Sequence, residues 1–157
     1  MKKFARLPFA LVLFLFVACA PPGQSTDSAG DPELERLAAR AANVTIIRDD
    51  FGVPHIYAKT DADAVFGMLY AQAEDDYPRI ERNYVWAIGR LAEVEGESAL
   101  ISDLRARLYM STEDAIAAYE SAPDWLKALS NSWADGLNYY LAMNPDAPRM
   151  LLDRYEP

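Results

Sequence analysis

The stretch that decides the fold runs from residue 48 to residue 76 and reads RDDFGVPHIYAKTDADAVFGMLYAQAEDD. The preceding "VTII" is rich in β-branched residues, which favours a strand, and "HIYA" resumes a second one. Between them, Gly52 can adopt a positive φ and Pro54 keeps the residue before it extended, which predicts a turn. The pattern therefore predicts a short strand pair near residues 44–58, as a hairpin or as part of a larger sheet.

A long helix is expected after the second strand. Thr60 is a favourable N-cap, and the carboxylates of Asp61 and Asp63 suit the positive end of a helix. We expect Pro78 to kink or divide this helix and Gly96 to end it. Apolar residues recur every three or four positions along one stripe: Val65, Leu69, Ala73, Tyr77, Ile80, Tyr84, Ile88 and Leu91.

Three further helices are indicated. Residues 31–42 are good helix formers. Capping patterns at Ser111 with Asp114, and at Ser121 with Asp124, predict two helices near the C-terminus. One apolar face of the last helix is predicted to hold Trp125, Leu126, Leu129, Trp133, Leu137, Tyr140 and Leu141.

The N-terminus has the pattern of an export signal. A basic start and an apolar run predict a signal peptide over residues 1–18, too short to span a membrane. Cys19 follows in "FVAC", which resembles a lipobox, so we expect Cys19 to be lipidated. The alternative is an ordinary signal peptide cut near Ala18 or Ala20. Residues 19–31, rich in Pro, Gly and Ser, indicate a flexible tether.

Composition limits the function of the remaining domain, residues 32–157. The full chain of 157 residues has a formal net charge of −9, which argues against nucleic-acid binding, since that needs basic surface. The single cysteine excludes an internal disulfide, and the sequence has neither a Cys/His zinc set nor a glycine-rich phosphate loop. From the export signal and the lipobox we expect an exported, periplasmic protein that contacts the outer membrane only through its lipid.

Two residues invite a catalytic interpretation. His55, the only histidine, has a side chain suited to proton transfer near neutral pH. We favour a structural histidine at a strand end, bonded to the backbone, because no nucleophile partner is evident. Ser130 in "LSNSWADG" is similar to the start of some N-terminal-nucleophile chains. We reject it, because a residue inside a helix has no free α-amine to act as base.

Carboxylates on both sides of the turn suggest a second kind of site. Calcium prefers oxygen ligands, but no D-x-D-x-D-G loop is present and consecutive helical residues point in different directions. We interpret the group as a solvated face or as ion-pair partners of Arg79 and Arg82, with no metal site. Its members are Asp49, Asp50, Glu74, Asp75 and Asp76.

Several motifs in order carry a family resemblance. "VTIIRDDFGVPHIYAKTDADAVFGMLYAQAEDDYPRIERN", "GRLAEVEGE", "ADGLNYYL" and the terminal "RYEP" together resemble the opening of the α-chain of the penicillin amidase family, which includes acyl-homoserine-lactone acylases. The resemblance covers about residues 43–157. It implies an α+β fold: a helix-rich, incomplete part of an αββα N-terminal-nucleophile hydrolase, with residues 44–58 at the edge of its sheet.

The resemblance also implies where the chemistry lies. Such enzymes are secreted precursors cleaved into two chains, and a serine at the new N-terminus of the β-chain attacks the amide carbonyl with its own α-amine as base. No catalytic residue carries over to this chain. Asp50, Gly52, Pro54 and His55 would form a structural motif that positions the turn. The expected partners are the β-chain and a small acyl-amide substrate. No cofactor is expected here, and calcium is a candidate only for the full-length enzyme.

The leading hypothesis is an N-terminal fragment of an exported amidase that acts on N-acyl lactones, lipopeptides or β-lactams. It predicts that the chain alone is inactive and unstable, with the apolar stripes of its two longest helices facing water. The alternative is a self-contained lipoprotein that binds a partner through aromatic helix faces. Those faces would hold Trp125, Trp133, Tyr139 and Tyr140.

Overall fold

The computed structural model of the protein describes residues 31–157. The predicted signal peptide, Cys19 and all but the last residue of the predicted tether lie outside the described residues. In chain order the elements are α1 (Pro32–Ala41), β1 (Val44–Arg48), β2 (Pro54–Ala58), α2 (Asp61–Ala87), α3 (Ala92–Glu95), a short 3-10 helix (Glu97–Ala99), α4 (Leu100–Tyr109), α5 (Thr112–Ser121) and α6 (Asp124–Met143).

The predicted strand pair is confirmed as an antiparallel hairpin in which Ile46 lies opposite Ile56. Within residues 31–157 the sheet consists of these two strands. Successive side chains of a strand point to opposite faces. One face of the hairpin packs on α2 and is half-buried. The other face is exposed and carries Thr45, Ile47, His55 and Tyr57.

Helix α2 begins and bends as predicted. The Thr60 hydroxyl accepts a hydrogen bond from the backbone N–H of Asp63 at 3.1 Å. The backbone leaves the helical region at Asp76, with φ −159° and ψ 67°, two residues before Pro78. Proline has no N–H to donate and its ring crowds the preceding turn, so the helix kinks there.

The prediction that this helix reaches Gly96 is wrong. Helix α2 ends at Ala87, the chain turns at Gly89 with φ 69°, and Gly96 ends the short α3 instead. A residue of α4 caps the start of α3, because the Asp103 carboxylate accepts hydrogen bonds from the N–H groups of residues 91 and 92 at 2.9 and 2.8 Å. Helix α4, which the sequence analysis does not predict, thus supplies a long-range cap.

Of the two capping predictions near the C-terminus, the first is confirmed. The Ser111 hydroxyl accepts the N–H of Asp114 at 3.1 Å and caps α5. The prediction for Ser121 is wrong, since it is the last residue of α5 and its hydroxyl donates to the Ala118 carbonyl at 3.1 Å. Helix α6 follows the extended Pro123, which makes no side-chain cap.

The core lies between α2 and α6. Leu69 and Tyr77 of α2 pack with Leu137 and Leu141 of α6 in one buried cluster. The central residues of the two predicted stripes therefore cover each other, and the expectation that they face water is wrong. The predicted face of α6 also begins too early, because Trp125 at its first turn is 65% exposed.

Gly136 sets how closely α2 and α6 approach. A Cβ atom at this position would lie 2.5 Å from the backbone oxygen of Phe66 and 3.1 Å from Cβ of Leu69. A side chain here would force the two helices apart. The close approach therefore depends on glycine.

Candidate functional site

The turn between β1 and β2 is held by a carboxylate. The Asp49 side chain accepts the N–H groups of Phe51 and Val53, both at 2.9 Å. Gly52 has φ 81°, in the region that favours glycine, and Pro54 begins β2. The acidic residue that positions the turn is Asp49, whereas the resemblance suggested Asp50.

His55 contacts the same carboxylate. Its Nε2 lies 3.3 Å from Oδ2 of Asp49. The partner of His55 is therefore a side chain, whereas a bond to the backbone was expected from the sequence. The pKa of the Asp49 carboxyl lies below its ordinary value, mainly because of the hydrogen bond from the Val53 N–H and, to a smaller extent, because of the hydrogen bond from His55. The pair is exposed, and within residues 31–157 no hydroxyl or thiol is bonded to the imidazole. This arrangement can orient a turn, but it contains no nucleophile.

The neighbouring acidic residues form ion pairs. Arg48 lies 3.1 Å from Glu74 and 2.9 Å from Asp75, and it also binds the Gly52 carbonyl at 3.0 Å. This arginine therefore ties the turn to α2.

The two predicted arginine partners of this acidic face have different outcomes. Arg79 pairs with Asp76 at 2.7 Å, as predicted, whereas Arg82 pairs with Glu95. Among the described residues, no three side chains converge as a metal site.

Ser130 and three of the four aromatic residues proposed as a binding face on α6 are partly buried. Ser130 is inside α6, as predicted, so its backbone nitrogen belongs to a helical peptide bond. Three of the four aromatic residues proposed as a binding face lie beside aromatic rings of α2, with centroids 5.3–5.6 Å apart. The pairs are Trp133 with Tyr84, Tyr139 with Phe66, and Tyr140 with Tyr77.

A buried glutamate fixes the segment after α6, which the sequence analysis missed. The Glu81 side chain is fully buried, and its two oxygens accept the N–H groups of residues 150–152, each at 2.8 Å. Tyr155 follows into the core, where its hydroxyl donates to that of Tyr77 at 3.1 Å. Burial is the main reason why the pKa of the Tyr155 hydroxyl lies well above its ordinary value. Glu81 lies four residues after Tyr77, and this position in the stripe is the only signal that could have found it.

A second missed cluster joins α1 to the helices below it. Arg36 binds Asp135 through two hydrogen bonds of 2.7 Å. Arg40 binds the same carboxylate at 3.0 Å, the Ser132 hydroxyl at 2.5 Å and Asp63 at 3.3 Å. We call these five residues the arginine network. The spacing of Arg36 and Arg40 places both on one helix face, which could have been predicted from the sequence. The residues that they bind could not, because nothing near them in the sequence identifies these partners.

Large apolar side chains are exposed on several surfaces, and the two most exposed of these are the hairpin and α4. The tip and outer face of the hairpin expose Phe51, which is 93% exposed, with Ile47 and Tyr57. The α4 surface exposes Leu104 and Leu108, the latter 86% exposed. None of the helices between residues 31 and 157 is both long and apolar enough to cross a bilayer.

Comparisons with known proteins agree with this architecture. The sequence model of the penicillin amidase family matches residues 43–157. The acyl-homoserine lactone acylase QuiP of Pseudomonas syringae pv. tomato is 34% identical over 71% of this chain and 14% of its own length. The penicillin G acylase of Escherichia coli is 30% identical over 77% of this chain and 14% of its own. The chain spans 13–17% of the length of the curated relatives it matches.

The fold agrees as well. A thermostable penicillin G acylase from Alcaligenes faecalis superposes with a TM-score of 0.60 at 24% identity, over 70% of this chain and 58% of that chain. The hairpin and its helices are thus a helix-rich part of an N-terminal-nucleophile hydrolase fold. Since the family match runs from the residue before β1 to Pro157, the chain belongs to the penicillin amidase family.

Proposed function

We propose that this chain is the N-terminal part of the α-chain of an exported amidase of the penicillin acylase type. The observation that carries the proposal is the family match over residues 43–157, which includes every element from β1 onward. The reaction is hydrolysis of an N-acyl amide bond. The nucleophile is an N-terminal serine on the β-chain, outside residues 31–157. N-acylated lactones are the first substrates to test, because the acyl-homoserine lactone acylases are among the similar relatives.

In this proposal the chain acts as a scaffold for the β-chain. Within residues 31–157 both edges of the hairpin lack a partner strand, and such edges pair readily with further strands. Two strands alone are marginal in water, so added strands would stabilise the hairpin. The exposed side chains of Ile47, Phe51 and Tyr57 would become buried if another layer of the β-chain packed against this face.

The proposal includes export and a lipid anchor at Cys19. Alanine rather than aspartate follows the cysteine, which favours the outer membrane in a Gram-negative host. Replacing Cys19 by alanine is expected to move the protein from the membrane fraction to the soluble fraction, or to leave an unprocessed precursor. Recovery of the wild-type protein as a soluble periplasmic species would contradict the anchor.

The central test is to isolate the protein from its own host with an antibody raised against residues 31–157. Intact-mass measurement shows which chains accompany it, and hydrolysis is assayed with an N-acyl homoserine lactone and with an aromatic acyl amide. We expect a second, larger chain whose N-terminal residue is serine, together with release of the free acid. A serine-directed covalent reagent is expected to label that residue.

The same chain expressed alone is the matched control, and it is expected to release no acid from either substrate. Activity of the isolated chain, or loss of activity on Ser130→Ala, would contradict the assignment of catalysis to another chain. Isolation of this chain alone and inactive from the host would favour the self-contained lipoprotein instead.

A further inference from the structure

Helix α1 is the one described element that lies outside the family match, which begins at residue 43. It starts cleanly, since the Asp31 side chain caps it by accepting the N–H of Glu33 at 3.0 Å. It ends at Ala41, three residues before β1. The attachment of α1 to α2 and α6 therefore has to be explained from the contacts of this chain.

The attachment is mainly polar. Leu37 is the only fully buried residue of α1, at 2% exposure. The other contacts are mostly polar: the arginine network, Glu33 with Arg154 at 2.6 Å, and the Arg40 guanidinium at 5.8 Å from the centroid of the Phe66 ring. A helix held by one apolar side chain and a few charges buries little area, so its local opening costs less than unfolding of the core.

The surface beneath α1 is built to receive arginines. Asp63 of α2 and Ser132 and Asp135 of α6 are all buried, and all three bind the guanidinium groups of α1. The ion pairs that the described residues give Asp63 and Asp135 are all with Arg36 or Arg40. Without α1, these two carboxylates would therefore lie in the groove without a paired cation. Unpaired charges of that kind are costly, so the groove favours a cationic occupant.

We propose that α1 is a strap that opens without unfolding the α2–α6 core, over a groove that binds a helix carrying arginines four residues apart. The occupant in this chain is α1 itself, with Leu37 filling the apolar part of the groove and Arg36 and Arg40 the acidic part. Because Arg36 binds two oxygens of one carboxylate, the groove selects arginine over lysine. The strap sets where the N-terminal segment leaves the body, whether or not the proposed amidase activity holds.

The first test needs no substitution. Hydrogen exchange of the full chain is followed by mass spectrometry at rising, sub-denaturing urea. The strap predicts that amides of residues 35–41 exchange about tenfold or more faster than those of the α2 and α6 core, with little dependence on urea. Equal rates and equal urea dependence for α1 and the core would show that α1 opens only on global unfolding, and would overturn the proposal.

The second test probes the groove. The full chain with Arg36→Ala and Arg40→Ala is titrated with a labelled synthetic peptide of residues 31–42, and anisotropy is read. We expect saturable binding to this variant, about tenfold or more weaker binding to the wild-type chain whose groove is occupied, and no binding of a peptide lacking both arginines. Wild-type binding that grows with protein concentration through dimers would identify strap exchange between copies, and would also support the groove.

The control for this test is Arg79→Ala, which removes the exposed pair with Asp76 and should leave peptide binding at the wild-type level. Absence of peptide binding to a folded double variant would overturn the groove. Loss of the α2–α6 core in that variant, seen by circular dichroism, would show that α1 is not separable and would overturn the strap.

Discussion

The contact between α2 and α6 and the outer face of the hairpin are both rich in apolar residues, yet only the first is closed. Between the helices, Tyr77 and Leu137 are almost fully buried. The stacked pairs Tyr77 with Tyr140 and Tyr84 with Trp133, which we call the aromatic ladder, continue along the same contact. On the hairpin, Ile47 and Tyr57 face water, with Phe51 at the tip. The closed contact holds residues 31–157 together, whereas the open face is available for another chain.

The difference shows what satisfies an apolar surface. An α-helical stripe needs one facing stripe, and this chain supplies two that match, with Gly136 at the closest approach. A two-stranded sheet has two faces and two edges, and α2 covers only one face. The following changes test how firmly the closed region is held and how little the open region contributes to it.

The largest effect is expected from Glu81→Ala. Three backbone N–H groups would lose their acceptor, and each buried donor left unsatisfied costs about 1–3 kcal/mol. We expect a loss of about 3 kcal/mol or more in the free energy of unfolding, measured by urea denaturation. The matched control is Glu113→Ala, an exposed glutamate on α5, with a change within about 0.5 kcal/mol. Equal effects of the two substitutions would show that Glu81 does not stabilise the contact between α2 and the segment after α6.

Gly136→Ala is expected to act next. Its Cβ would meet the Phe66 backbone at 2.5 Å, and overpacking of this kind costs about 1–3 kcal/mol. A lowered thermal midpoint and a weakened near-ultraviolet signal from the aromatic ladder would report the separation of α2 from α6. Ser130→Ala, earlier on the same helix, serves as control and should stay within about 0.5 kcal/mol. An unchanged midpoint for Gly136→Ala would mean that the helices have room to move apart.

Acid is expected to weaken the arginine network. Burial alone raises the pKa of Asp135, but hydrogen bonds and charges from Arg36 and Arg40 outweigh burial and hold the pKa below its ordinary value. A group with a lowered folded-state pKa contributes stability above its unfolded pKa of about 3.9, and loses it as the pH falls through the folded-state pKa. The other charged groups near these arginines are the carboxylates of Asp63 and Glu33 and the guanidinium of Arg154.

The measurement is urea denaturation between about pH 7 and about pH 3, on the wild type and on Asp135→Asn. The variant is expected to be less stable near neutral pH and to lose less stability in acid. The exposed Asp146→Asn is the control and should follow the wild-type profile. Parallel profiles for wild type and Asp135→Asn would show that Asp135 does not carry the acid sensitivity.

The smallest effect on folding is expected from the open face. Phe51→Ser together with Tyr57→Thr removes apolar area that is already in water, so the free energy of unfolding should change by less than about 0.5 kcal/mol. Self-association, measured by light scattering against concentration, should fall, because large exposed apolar patches promote it. A loss of several kcal/mol would instead mean that this face is part of the folded core.

Local signals predicted most of the elements correctly. Thr60 and Ser111 cap α2 and α5, and the kink lies next to Pro78. These features depend on residues close in the chain, where sterics and capping decide the conformation. The exceptions were Ser121, where Pro123 interrupts the apparent cap, and α4, whose N-cap residue makes no side-chain hydrogen bond. The end of α2 was a third exception, since it lies at Ala87 and not at Gly96.

The candidate sites were less predictable, because their partners are distant in sequence. Asp49 and His55 lie six residues apart and could be singled out, although the pairing itself was not. Arg36 and Asp135 are separated by 99 residues, and Glu81 lies 69 residues before the first amide that it binds. A charged residue in a helical pattern has the same local signature whether it faces water or a buried partner.

By itself, the sequence determined the starts of α2 and α5, the strand pair, the kink and, through its ordered motifs, the family. Each depends on backbone preferences that act within a few residues, or on a pattern that can be compared directly. Only the tertiary structure decided that α2 and α6 cover each other, that Glu81 holds the segment after α6, and that two arginines fasten α1 to buried carboxylates. Those contacts depend on how elements pack in space, and burial turns an ordinary charge into a partner that has to be satisfied.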